Sequence, residues 1–118
     1  MANLGSLDTL REIVFKRCNG YCEKCGLLLT NEWALHHRKL KSRGGKDTAS
    51  NLLALHHKCH NTGTQSVHLN PKIATQQGYM VSTYREPTEC PVMLPDGRSV
   101  ILTDEGDYLT VKEGTNGW

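Results

Sequence analysis

Residues 22–60 carry most of the structural information in this chain, and they read CEKCGLLLTNEWALHHRKLKSRGGKDTASNLLALHHKCH. Two pairs of soft metal ligands, each with two residues between its members, flank a gap of about thirty residues. These four residues, called the Cys3His set below, are Cys22, Cys25, His56 and Cys59. Thiolates and an imidazole at such spacing are typical of a tetrahedral structural zinc site. His57 is an alternative to His56, but its closer spacing to Cys59 is less typical of a zinc knuckle.

A second group of polar residues lies inside or beside that gap, and the zinc does not need it. Its members are His36, His37, Asn51 and His60. Hydrolysis of a phosphodiester needs a base for the attacking water and a cation on the phosphate. Histidine titrates near neutral pH and also binds metals, so the three histidines are candidates for both tasks.

Length and composition predict one small domain with a thin core, and the helices and strands described below make the expected class α+β. The chain has 118 residues, of which 37% are hydrophobic and one is Phe. A structural metal helps such a chain, because its binding free energy becomes folding free energy. Five cysteines are an odd number, and metal ligation explains them better than a disulfide framework. Cys18 and Cys90 are left over and are expected to be small buried hydrophobes.

Charge is unevenly distributed along the sequence. Residues 1–75 carry a net charge of +6, whereas residues 76–118 carry −4. Because the basic half also holds the candidate ligands, this asymmetry favours a polyanionic partner there, most simply nucleic acid. The expected phosphate contacts are Arg38, Lys39, Lys41, Arg43, Lys46 and Lys58.

Neither a targeting segment nor a membrane span is evident in the sequence. The first eight residues lack a basic start and an apolar run, and no window is long and apolar enough to cross a bilayer. Together with cysteines that are expected to be reduced, this predicts a cytoplasmic protein, or one in the host cytoplasm if a phage encodes it.

Local patterns predict the elements of the first 78 residues. A helix is expected at about 7–17, followed by a strand at 33–39 and a return strand at 51–55. The two strands would form a hairpin around a basic loop, residues 40–50. A helix beginning near residue 57 and running toward 66 would follow, and a shorter helix would span 71–78.

The sequence after residue 78 differs in character. Short strands are predicted at 79–81, 92–94, 100–102 and 108–111, with a turn at Pro95–Arg98. These strands predict a β-rich appendage over 79–118, attached to a core over 1–78.

The central stretch resembles the HNH endonuclease family. The similar residues are Leu35-His36-His37-Arg38, then Gly44-Gly45, then the continuous run from Asn51 to His60, where His60 lies nine residues after Asn51. The resemblance covers roughly residues 10–66. The wider run into the β-rich tail resembles small HNH proteins of actinobacteria and their phages.

The resemblance implies a role for each matching residue. His37 would be the general base that activates water, and His36 and His60 would bind the catalytic divalent ion. Asn51 would pin the loop and orient the base. The implied fold is a ββα-metal (His-Me finger) core stapled by zinc, with a helix before it and the β-rich extension after it. The implied reaction is attack of water on DNA, which leaves 5′-phosphate and 3′-hydroxyl ends.

Two departures from the family pattern affect the metal sites. His56 stands where a cysteine is commonest, an exchange that zinc tolerates. Thr64 stands where some members have a further metal ligand, so the catalytic ion would rest on two histidines, phosphate and water. That arrangement resembles loosely held Mg²⁺, with Mn²⁺, Ni²⁺, Co²⁺ or Zn²⁺ open as substitutes. His68 is expected to pack or to satisfy a cap rather than to contact phosphate.

One geometric expectation follows from the adjacency of His36 and His37. Neighbouring residues on a regular strand point to opposite faces. The two histidines share one active site only if the strand twists or bulges there, so the sequence predicts such an irregularity.

The expected function is therefore a metal-dependent DNA endonuclease that nicks or cuts both strands. The alternative is a non-catalytic, zinc-stapled DNA-binding or assembly module. Small phage-type HNH proteins resemble either homing nucleases or partners of the DNA-packaging terminase. The acidic C-terminal region is the expected docking surface for a terminase or another packaging protein.

Overall fold

The computed structural model describes residues 6–111, a mixture of helices and short strands that agrees with the expected α+β class. The elements are α1 (Leu7–Arg17), β1 (Ala34–His37), β2 (Leu52–Leu55), α2 (Pro71–Gln76), β3 (Val92–Met93), β4 (Ser99–Leu102) and β5 (Tyr108–Thr110). None of the helices within this range has the length and apolar character needed to cross a bilayer. The expectation about a targeting segment falls partly on residues 1–5, which lie outside the described residues.

Helix α1 has the predicted bounds and covers one of two clusters of the core. Leu10 and Val14 are buried, four residues apart on one face, where they pack with Trp33. The helix ends before Asn19 and Gly20, whose φ angles of 56° and 81° are left-handed and cannot continue it. Cys18 and Cys90, the spare cysteines, are both buried as expected.

Strands β1 and β2 form the predicted antiparallel hairpin, and their pairing is regular to its end. His36 pairs with Leu53, and His37 pairs with Leu52, with no extra residue between them. The predicted irregularity at the two histidines therefore does not take the form of a bulge. In such a pleat their side chains leave on opposite faces, and the two imidazoles have different partners.

The helix predicted to begin near residue 57 and run toward 66 is present only as one short turn. Only Lys58–Thr62 is helical, as a single π-helical turn. The chain then doubles back, because the amide of Val67 donates to the carbonyl of Cys59 and the amide of His68 donates to that of His60. The structure thus contains the hairpin of a ββα-metal core but not a full helix after it.

The C-terminal strands form a three-stranded antiparallel sheet in the order β3-β4-β5, with the predicted turn before β4. The strand predicted at 79–81 does not form. Tyr79, Met80 and Val81 instead fill the interior, each at most 5% exposed. The amide of Val81 donates to the carbonyl of Arg38, which ties this segment to the end of the hairpin.

The core does not divide at residue 78. One cluster of buried side chains draws on both sides of that position, and its members include Cys22, Leu53, Leu55, Val67, Tyr79, Val92, Val100 and Leu102. The boundary predicted at residue 78 therefore runs through a continuous hydrophobic core.

Arg38 does not lie on the DNA-facing surface that the sequence predicted. Its side chain is fully buried, and its guanidinium donates to the carbonyl oxygens of Gly78, Ser50, Pro87 and Cys90 at 2.7–3.0 Å. Burial lowers the pKa of this guanidinium to about 10, so it stays charged at neutral pH. The expectation of a phosphate contact is wrong here, because every donor direction faces the interior.

Lys39 is also largely removed from solvent. It is 7% exposed, its ammonium donates to the carbonyl of Arg85 at 3.0 Å, and the Glu86 carboxylate lies 3.4 Å away. The expected phosphate contact is therefore not supported for Lys39 either.

We expect Arg38→Met to destabilise the protein by more than about 3 kcal/mol, because buried carbonyls lose their charged donor. Urea denaturation of the zinc-loaded protein measures this as a lower midpoint. Arg43→Met is the matched control, since Arg43 is exposed on the basic loop. Equal midpoints for the two variants would contradict the assignment of Arg38 to the interior.

A buried ion pair joins the N-terminal helix to the knuckle and the last strand. Arg17 donates twice to the Glu23 carboxylate, at 2.8 and 3.0 Å, with both side chains at most 1% exposed. Glu23 also accepts from the amide of Ala54 and from the hydroxyl of Tyr108. The carboxylate is thus fully hydrogen-bonded, which a buried charge requires.

Candidate functional site

The Cys3His set is brought together as the spacing predicted. One candidate donor atom from each residue lies within 4.8 Å of all the others, and Cys25 Sγ lies 3.3 Å from His56 Nδ1. Zinc–sulfur bonds of about 2.3 Å place tetrahedral donors about 3.8 Å apart, so the set fits zinc. Three thiols and one imidazole are also the donor chemistry of structural zinc sites.

The local backbone explains how the set forms. Gly26 has a φ of 79°, and its amide donates to the carbonyl of Cys22, which closes the tight turn between the first two thiols. His56 Nε2 lies 2.8 Å from the carbonyl of Leu28, an acceptor, so Nε2 carries the proton and Nδ1 faces the thiols. His57 is exposed and lies outside the set.

The thiols influence one another electrostatically. Burial raises the pKa of Cys22, but backbone hydrogen bonds from Cys25, His56 and Lys24 outweigh it, and the net pKa is lowered. Burial and the neighbouring thiols Cys22 and Cys25 raise the pKa of Cys59 to about 12. A second thiolate is therefore unfavourable beside the first, and a bound cation would remove that penalty.

A second cluster contains three histidines and is called the three-histidine cluster below. His36, His60 and His68 each offer a ring nitrogen within 4.8 Å of the others. Their ring centroids are 4.5–5.4 Å apart, and Nε2 of His60 lies 3.0 Å from Nε2 of His68. Three converging imidazoles are a donor set that fits a transition-metal ion.

His68 is the ligand candidate that sequence reasoning missed. The expectation placed it as a packing or capping residue, and only position 64 was considered for a third ligand. The doubling-back of the chain pairs residues 67–68 with residues 59–60 and lays His68 beside His60. Asn70 stabilises this loop by donating to the carbonyls of Thr64 and Ser66. Gly63 and Asn70 are turn formers, so a loop rather than a helix could have been inferred there.

Two members of the three-histidine cluster, His36 and His60, are neutral at physiological pH. Burial lowers the pKa of His36 to about 3, a hydrogen bond to the Tyr79 carbonyl offsets this only in part, and the neighbouring His60 and His68 lower it further. Burial and the neighbouring His68 lower the pKa of His60 to about 4. The unprotonated nitrogens are therefore free to bind a metal.

His37 lies at the end of the same strand but makes a separate contact. Its Nε2 is 2.7 Å from Oδ1 of Asp47, a residue of the basic loop that sequence reasoning did not consider. The hydrogen bond from His37 and the ammonium of Lys41 hold the pKa of Asp47 below its usual value.

Asn51 pins the basic loop to the end of the hairpin. Its side-chain oxygen accepts from the amide of Lys39 at 2.7 Å, and its amide nitrogen donates to the carbonyls of Lys39 and Lys46 at 3.0 Å. The hydrogen-bonding partners of the Asn51 side chain are thus main-chain atoms, whereas the partner of the His37 imidazole is Asp47.

The remaining basic candidates are open to solvent. Lys41, Arg43 and Lys46 are exposed on the basic loop, and Lys58 is exposed beside the Cys3His set. These four positions, unlike Arg38 and Lys39, can reach a phosphate backbone.

Comparison with known proteins agrees with the geometry. Residues 22–66 match the family model described as HNH endonuclease, and this range includes the Cys3His set, His37 and Asn51. His68 lies two residues beyond the match. No curated protein and no solved structure matches the chain.

Proposed function

We propose that this chain, whose residues 22–66 match the family model described as HNH endonuclease, is a metal-dependent DNA endonuclease. The match supports nuclease activity in general. The observation that carries the finer proposal is the three-histidine cluster, which offers three converging ring nitrogens to a second metal, apart from the Cys3His set. His37, the proposed general base, directly follows His36 in β1, although a regular pleat sends the two side chains to opposite faces.

The donor set changes the expected metal. Mg²⁺ prefers oxygen ligands, whereas imidazole suits Zn²⁺ and Ni²⁺, and the affinity of such a site rises from Mn²⁺ through Co²⁺ to Ni²⁺. With His68 as a third ligand, the catalytic ion would have three histidine ligands instead of two. A transition metal therefore fits better than loosely held Mg²⁺. When bound, the ion would supply positive charge to the phosphate and to the leaving oxygen.

The protein's own residues would perform the remaining steps. In the neutral tautomer whose Nε2–H donates to Asp47, Nδ1 of His37 would accept a proton from the attacking water. Attack at phosphorus breaks the bond to the 3′ oxygen and leaves 5′-phosphate and 3′-hydroxyl ends. Exposed basic side chains would position the backbone without selecting a sequence.

Cleavage of supercoiled plasmid across a metal series tests the proposal. We expect the zinc-loaded protein to nick or linearise plasmid with Mn²⁺, Co²⁺ or Ni²⁺, and to be slower with Mg²⁺. Intact plasmid under every ion, combined with retarded DNA in a gel shift, would overturn the nuclease and favour the zinc-stapled DNA-binding or assembly module.

We expect His68→Ala to weaken metal binding at the three-histidine cluster by at least about 10–100-fold, because one of three ligands is lost. Calorimetric titration of zinc-loaded protein with Ni²⁺ measures the change. His57→Ala is the matched control, since His57 is an exposed histidine outside both clusters. Equal Ni²⁺ affinity of the two variants would show that His68 is not a ligand.

The cellular setting remains a proposal. All five cysteines are free, which suits a reducing compartment such as the cytoplasm. The packaging or mobile-element role and a terminase partner also stay predictions.

A further inference from the structure

We infer that Asp47 is a positioning residue for His37, holding the imidazole in the tautomer and orientation that leave Nδ1 free to act as a base. This inference deepens the proposed nuclease function and rests on it for its catalytic part. The underlying contact, however, exists whether or not the protein cuts DNA, and it can be tested separately.

The geometry of the pair fixes where the imidazole proton lies. Nε2 of His37 is 2.7 Å from Oδ1 of Asp47, and an ionised carboxylate only accepts hydrogen bonds. Nε2 must therefore carry a proton, and in the neutral ring Nδ1 is the nitrogen with the lone pair. Both side chains are partly open, at 22% and 29% exposure, so water can reach the pair.

The basic loop is held so that Asp47 reaches His37. Asn51 bonds to the carbonyl of Lys46, the residue directly before Asp47. Gly45 packs so closely on the hairpin that a Cβ there would lie 1.8 Å from the carbonyl oxygen of Lys39. Asn51 thus acts on His37 indirectly, by fixing the loop that presents the carboxylate.

A merely structural ion pair makes a different prediction. A partly exposed pair contributes little to stability, so its loss should leave unfolding almost unchanged. If Asp47 positions the base, its loss should instead lower the rate of the chemical step. The loss of rate cannot exceed the rate enhancement that the general base itself provides, which is about 10²–10⁴-fold.

The first experiment measures single-turnover cleavage with saturating protein. We expect Asp47→Ala and Asp47→Asn each to lower the rate by between about 10- and 1000-fold, with little change in DNA affinity. The asparagine variant should also fail, because its amide can donate to Nε2 and move the proton to Nδ1. In a His37→Ala background, Asp47→Ala should cause no further loss, since the two residues act as a unit.

Asp96→Asn is the matched control, because Asp96 forms a similar exposed pair with Arg98 at 2.8 Å. A wild-type rate for Asp47→Ala, or an additional loss in the His37→Ala background, would overturn the inference. If the wild-type protein cuts nothing, the nuclease proposal fails by itself.

The second experiment does not depend on cleavage. The ¹⁵N shifts of the His37 ring in zinc-loaded protein show which nitrogen carries the proton. We expect the Nε2–H form in the wild-type protein and in Asp96→Asn, and a loss of that preference in Asp47→Ala and Asp47→Asn. A mixed tautomer in the wild-type protein, or unchanged ring shifts in the Asp47 variants, would contradict the inference.

Discussion

Removing zinc from the Cys3His set is expected to unfold the described domain. Structural zinc contributes about 10–16 kcal/mol of binding free energy in small zinc domains, comparable to or greater than the whole stability of a typical protein, about 5–15 kcal/mol. Cys22 belongs to the buried core, so its turn cannot loosen without disturbing Leu53 and Leu55. Circular dichroism with a strong chelator should show loss of structure and its return on adding Zn²⁺.

Two cysteine variants separate loss of the metal from loss of a buried thiol. Cys59→Ala removes a proposed ligand and should behave like the chelated protein. Cys18→Ala removes a buried thiol outside the set and should bind zinc and melt cooperatively. A chelated protein that melts within a few degrees of the zinc-loaded form would show that the fold does not depend on the metal.

Replacing His37 with Ala is expected to lower plasmid cleavage by about 10²–10⁴-fold, the usual contribution of a general base. Zinc content and the melting temperature should be unchanged, because the partly exposed imidazole belongs to neither cluster of candidate metal ligands. The rate is measured as the conversion of supercoiled plasmid to the nicked or linear form, with the metal that gives the fastest cleavage.

His57→Ala is the control for His37→Ala, since it removes an exposed histidine without a proposed role. Cleavage by His37→Ala at the rate of this control would remove His37 from the mechanism. That outcome carries weight because His36 and His37 leave a regular strand on opposite faces, and only the assay shows whether both serve one phosphate.

Local patterns were sufficient to predict the helix, the hairpin and the Cys3His set. The apolar spacing of α1 and its Asn19-Gly20 stop are encoded within a dozen residues. The paired x2 spacings of the four ligands restrict which thiols and imidazole can meet. Such features depend on neighbours in the sequence, and sequence reasoning therefore finds them.

Arg38 shows why other features could not be predicted. An arginine beside basic residues favours a solvent-exposed, DNA-facing position, and burial of a guanidinium is costly without partners. Its partners are carbonyl oxygens at Ser50, Gly78, Pro87 and Cys90, up to 52 residues away. The charge pattern contains no information about those oxygens, because carbonyls are common to all residues.

The two site residues that the sequence did not predict, His68 and Asp47, were missed for the same reason. His68 joins His36 and His60 only because the chain doubles back after a turn that was expected to be a helix. Asp47 meets His37 across the fold of the basic loop. Each contact depends on loop geometry, which residue spacing does not specify.

The buried guanidinium also bears on how the chain folds during synthesis. Translation releases both clusters of metal ligands before Pro87 and Cys90, whose carbonyls Arg38 requires. The ring of His36 likewise has no hydrogen-bond acceptor until Tyr79, whose carbonyl lies 2.7 Å from Nε2, has been synthesised. Domains that fold during synthesis generally fold from the N-terminal side as units. Here the half with the metal ligands cannot complete its interior until residues 78–102 have been synthesised, so we expect the two halves to fold together rather than the first half before the second.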